Sequence, residues 1–106
     1  MSPFILVLTS VSDRKAAEKM ARGLVERRLA ACVTVSALAR SFYWWEGKVA
    51  EDEEFVLMIK TKQELYSRME KRIREWHPYD LPEIIAVPLV KGYQKYLDWI
   101  GREVQS

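Results

Sequence analysis

Residues 4 to 8, FILVL, are apolar at every position, and such an uninterrupted run of β-forming residues predicts a strand central in its sheet. The period then changes. Ala17, Met20, Ala21, Leu24 and Val25 recur at helical spacing behind Ser12 or Asp13 as N-cap, so a helix is expected over residues 13 to 29. From residue 31 to 45 the chain turns to β-branched, small and aromatic residues, pauses at EGK, and resumes from 49 to 61 around FVLMIK, the pattern of a long hairpin. Leu65, Met69, Ile73 and Trp76 mark a second helical stripe over 63 to 76. Pro78 ends it, because proline disfavours helical geometry at His77. IIAVPLV after Pro82 reads as a short strand whose Pro88 suits an edge. Gly92 opens a last helix, with Tyr93, Tyr96, Leu97 and Ile100 able to face the core.

This order, β-α-β-β-α-β with an added C-terminal helix, predicts an α+β fold: a ferredoxin-like sandwich with both main helices on one sheet face, residues 1 to 106 forming a single domain. The long hairpin of the second and third expected strands, residues 31 to 45 and 49 to 61, does not fit inside it. Fifteen residues at roughly 3.3 Å each span about 50 Å, whereas a compact domain of this length is about 33 Å across, so the hairpin must bend or overhang. Adjacent strand residues face opposite sides, so Phe42, Tyr43, Trp44 and Trp45 cannot all lie under the helices. They either remain as half-exposed rings or are covered by a second chain; length and aromatic content together favour an obligate homo-oligomer built on the hairpin.

Composition narrows the classes of function. Apolar residues at 49% and charged residues at 30% describe a folded globular chain. A net charge of +2 without a dense basic block leaves no footprint for nucleic acid or for a membrane surface. FILVL is too short for a membrane span or a signal sequence. The single Cys32 excludes an intrachain disulfide and fits a reducing compartment, so a cytoplasmic location is expected. Asn is absent and Gln occurs three times among abundant charges, a heat-adapted pattern that predicts a thermostable protein.

Three clusters carry candidate chemistry. In WHPYDLPE the sole histidine, His77, is followed at intervals of three by Asp80 and Glu83, which could hold a divalent metal with open positions; the same residues also read as a stiff turn ending a helix. Cys32 reads as a small buried hydrophobe or, beside a cation or metal, a reactive thiolate. EDEE, residues 51 to 54, puts two carboxylates on each strand face and reads as a solvated, protected edge, or as a weak cation site in an oligomer. No phosphate-binding glycine loop, nucleophile elbow or zinc-protease signature occurs, so no enzyme is expected.

RLAACVTV, SFYWWEGK, EFVLMIKT, HPYDLPEI and YLDWI, in this order and spacing over nearly the whole chain, resemble the CutA family of divalent-cation tolerance proteins. The resemblance implies a compact homotrimer whose hairpins pair between subunits, an architecture shared with PII-type signalling proteins. It also implies a link to metal-ion tolerance, copper in particular, through a first-strand Cys and a His pair before PY. Here Thr9 stands at the Cys position and Trp76 at the first His, leaving His77, and HPYE is replaced by HPYD with Asp80. A remaining site would be rich in oxygen ligands. The expected function is a non-enzymatic trimer with no fixed cofactor. It would take a divalent cation such as copper, or a small molecule, in clefts between subunits lined by His77, Tyr79, Asp80, Glu83 and Trp45. A PII-like signalling or adaptor trimer with an unidentified protein partner is the alternative, and a small enzyme using His77 as acid or base is a third.

Overall fold

The N-terminal apolar run forms β1, Phe4–Val11, with Ile5, Val7, Thr9 and Val11 turned into the core. The computed structural model describes residues 3–105. Asp13 caps α1, Arg14–Glu26, its carboxylate accepting from the Ala16 amide at 2.8 Å. This helix stops three residues before the length its pattern suggests, because Arg28 takes a left-handed conformation at φ 58. Arg28 is held there by an ion pair with Glu103 at 3.0 Å.

The expected second strand is broken in two, β2, Cys32–Val35, and β3, Ala39–Trp45. Ser36 makes the break: its hydroxyl accepts from the Val56 amide at 2.9 Å, a side-chain bond that competes with the ladder. Its partner β4, Lys48–Lys62, is continuous over 15 residues. Glu46 at φ 50 and Gly47 at φ 79 link β3 to β4, the two positive values a tight hairpin turn requires. A 3-10 turn then leads to α2, Tyr66–Trp76, followed by β5, Ile85–Pro88, and α3, Gln94–Glu103.

The sheet runs β2-β4-β1-β5, with β3 pairing only β4. The C-terminal half of β4 lies between β1 and β2, whereas its N-terminal half has β3 as sole neighbour among the described residues. The hairpin therefore both bends and overhangs. It forms a two-stranded arm on a molecule measuring 44 × 26 × 24 Å.

Helices α1 and α2 cover one face. Met20, Leu24, Met69 and Ile73 pack there on Val7, Leu57 and Ile59, all at 2% exposure or less. Gly23 permits close approach of the helices, since a Cβ there would sit 2.8 Å from Trp76 Cη2. The Trp76 ring is bracketed by the guanidinium groups of Arg27 and Arg72, 4.9 and 5.9 Å from its centroid. Helix α3 touches β4 at Lys60, whose ammonium lies 5.5 Å from the Tyr96 ring. Of the four residues able to face the core here, Tyr93 and Tyr96 are 71% and 39% exposed and Ile100 alone is fully buried, because the helix meets the sheet along a narrower stripe. Beyond α3, Ile85 and Val87 on the edge strand remain 49% and 43% exposed.

Candidate functional site

Where α2 ends, the chain crosses the C-terminal end of β1 and passes beside the arm. His77 caps the helix, its amide donating to the Ile73 carbonyl at 2.8 Å, and takes extended geometry as Pro78 dictates. Its ring then turns inward to 8% exposure. Nε2 lies 2.7 Å from the Ser10 carbonyl, and Nδ1 accepts from the Tyr79 amide at 3.1 Å. These partners assign the proton to Nε2 and engage both nitrogens within the chain. The ring also meets Tyr79 edge to face at 4.6 Å. His77 thus ties the 77 to 79 turn to β1. Replacing it with alanine orphans the buried Ser10 carbonyl and frees the Tyr79 turn; a loss of about 1–3 kcal/mol is expected in denaturant unfolding.

Fixed in this way, Tyr79 reaches the arm, where its hydroxyl donates to Glu54 Oε2 at 2.8 Å. Glu54, only 7% exposed, belongs to the EDEE run read as a solvated edge. The register explains the difference. Glu54 opposes Ala39, Asp52 opposes Ser41 and Ala50 opposes Tyr43, so Ser41, Tyr43, Trp45, Asp52 and Glu54 share one side of the arm, and the turn at Tyr79 closes over that side. Phe42, Trp44, Val49 and the Arg40–Glu51 ion pair occupy the other side.

Between arm and turn lies a cleft of about 760 Å3. Asp52, Glu54, Asp80 and Glu83 line it with the aromatics of residues 42 to 45, Tyr79 and three serines, and among the described residues no Lys or Arg lines it. The Tyr43 hydroxyl bonds Asp52. That bond, slight burial and the charges of Asp52 and Glu54 push the Tyr43 phenol up to about 12. Burial raises Tyr79 above the ordinary 10.0, a Ser12 hydrogen bond opposes this, and Glu54 adds to it. Alkaline titration followed by phenolate absorbance should therefore show Tyr43 ionising near pH 12. Because the folded state holds this proton more tightly, its contribution is complete below pH 10 and is lost on rising towards 12. In Asp52→Asn the Tyr43 transition should move back towards 10.

The residues singled out from the sequence separate into three places. Asp80, Glu83, Tyr79, Tyr43 and Trp45 meet in the cleft, Phe42 and Trp44 reach it from the arm's other side, and His77 stands behind it as a brace. Cys32 lies elsewhere, half-buried on edge strand β2 opposite Lys60. Among the described residues no three His, Cys, Asp or Glu groups come together to hold a metal ion, so His77, Asp80 and Glu83 do not converge within one chain. Thr9 is fully buried in the core. Ser10 is the site residue the sequence reading passed over, whereas Asp52 and Glu54 were weighed only within EDEE, as a protected edge or a weak cation site in an oligomer; the alternation that places them beside Tyr43 was the available signal.

Fold and cleft together define a ferredoxin-like α+β domain carrying a protruding two-stranded arm with an acidic, aromatic recess at its base. The CutA1 divalent ion tolerance protein family matches residues 5–103, and the chain belongs to that family. It is 41% identical to the divalent-cation tolerance protein CutA of Thermus thermophilus over 90% of this chain and 92% of the other. It is 43% identical to the chloroplastic CutA of Arabidopsis thaliana over 98% of this chain, spanning 57% of that longer relative. The solved Thermus thermophilus Cut A1 structure superposes with a TM-score of 0.94 at 38% identity, covering 96% and 99% of the two chains. CutA1 from a psychrotrophic Shewanella, titled a stable protein, gives 0.95 at 33% identity over 99% and 98%. No helix among the described residues is long and apolar enough to cross a membrane.

Proposed function

We propose that the chain acts as a non-enzymatic, cytoplasmic homotrimer in the response to divalent metal ions, copper among them, and that the cleft is its cation-receptive site, taking a divalent cation or a small ligand. The observation that carries this reading is the cleft itself. Four acidic residues line one recess that, among the described residues, no basic residue lines, and none of the four takes part in an ion pair among those residues. Carboxylates gathered without a counter-charge favour an incoming cation. Trimer assembly is supported by the arm, since a two-stranded ribbon is marginal alone and this one exposes Phe42, Trp44 and Val49 at 63%, 75% and 61%. The thermophilic origin of one relative agrees with a thermostable chain.

Calorimetric titration of the protein with copper, zinc and magnesium tests the cation half. Heat of binding below millimolar concentration that disappears in Glu54→Gln is expected. Absence of heat from all three metals removes the divalent cation from this reading.

A further inference from the structure

The cleft combines two features that a bare metal ion does not use together. The first is charge. Four of the chain's 15 acidic residues, Asp52, Glu54, Asp80 and Glu83, line the cleft and no described basic residue does, Lys48 being the one basic residue on that side of the arm by register. At its base Glu54 is more than nine-tenths buried, with the Tyr79 hydroxyl as its hydrogen-bond partner and no ion pair among the described residues. Its carboxyl group keeps acceptor lone pairs beyond those used by Tyr79, open to a further donor.

The second feature is the lining. Tyr43, Trp45 and Tyr79 present aromatic surface beside the carboxylates. A hydrated divalent cation gains little from such walls and needs six or more oxygen ligands in close array. The carboxylates here do not converge in that manner, and Asp52 and Glu54 already accept from Tyr43 and Tyr79. An ammonium group on a carbon skeleton suits both features. Its N–H groups donate to the free lone pairs of Asp52 and Glu54, its charge lies against ring faces, and its apolar body displaces water from the walls. About 760 Å3 is ample for such a molecule and lies in the ordinary range for small-ligand sites.

We infer that the cleft selects an organic ammonium, a primary amine carried on an aromatic or aliphatic body, in preference to a bare divalent metal. The inference rests on the reading of the cleft as a cation-receptive site.

The test is calorimetry on the full chain with benzylammonium, with benzyl alcohol as the uncharged molecule of similar shape, and with magnesium and copper as competitors. Benzylammonium is expected to bind at least tenfold more tightly than benzyl alcohol, to weaken as salt is raised, and to resist displacement by equimolar metal. Asp52→Asn and Glu54→Gln, each checked for native circular dichroism, should each weaken it at least tenfold; Asp52 is exposed, so that variant reports even where Glu54→Gln fails to fold. Equal binding of benzyl alcohol overturns the ammonium inference while leaving a ligand site. Binding of metal alone overturns it while leaving a cation site. Undiminished ammonium binding by a folded Asp52→Asn or Glu54→Gln variant places the amine elsewhere and overturns it too. No heat from any of the four probes overturns the inference and the underlying reading together.

Discussion

If the parent assembles as the proposed homotrimer, replacing Phe42 and Trp44 together by aspartate is expected to leave a monomer of 12.5 kDa. Both side chains lie on the side of β3 turned away from Asp52 and Glu54 and are 63% and 75% exposed in the single chain. The substitutions therefore remove little that stabilises the lone subunit. In an assembly each buried ring contributes about 1.5–3 kcal/mol, so losing two per subunit weakens association by at least about a hundredfold, before the cost of burying a carboxylate. Analytical ultracentrifugation over a range of concentrations reads the result, with circular dichroism confirming the fold. A double variant that keeps the parent's mass would remove the arm as the assembly surface.

Leu57→Ala carries the largest expected loss of stability. Leu57 sits on β4 between Thr9 and Val35, is fully buried, and belongs to the layer packed beneath the helices. Truncating it removes its transfer energy and leaves a cavity that rigid sheet neighbours cannot close, a loss of about 2–5 kcal/mol. Denaturant midpoints compared at one protein concentration measure it, because unfolding of the proposed assembly would depend on concentration. A loss below about 1 kcal/mol would mean that this layer is not packed as described.

Much of this fold is legible in the sequence because hydrophobic period specifies which face is buried. The stripe of Met20 and Leu24 and that of Met69 and Ile73 both reach the core as their spacing requires. Element ends are less legible where a single residue decides them through a distant partner. Arg28 ends α1 in a conformation usually left to glycine, held by Glu103 from the far end of the chain. Ser36 breaks a strand with a hydroxyl bonded to Val56, and neither event has a local glycine or proline to announce it. The site divides in the same way. Asp80, Glu83, Tyr79 and Trp45 could be gathered from motif and alternation, whereas the inward turn of His77 depends on the Ser10 carbonyl 67 positions away in sequence. Glu54 looked like solvated edge because its cover, Tyr79, comes from another element.

The continuity of β4 bears finally on how the protein forms. Residues 55 to 62 of that strand pair with β1, and residues 57 to 60 also with β2, whereas residues 48 to 54 pair with β3 and leave the arm's outer side bare, the side that the proposed trimer would cover. One unbroken strand thus spans two kinetic regimes. Refolding should show a first phase whose rate ignores protein concentration, as the core half closes, and a second whose rate rises with concentration, as the arms find their cover. Amide exchange along a single strand would then pass from early to late protection within a few residues of Phe55.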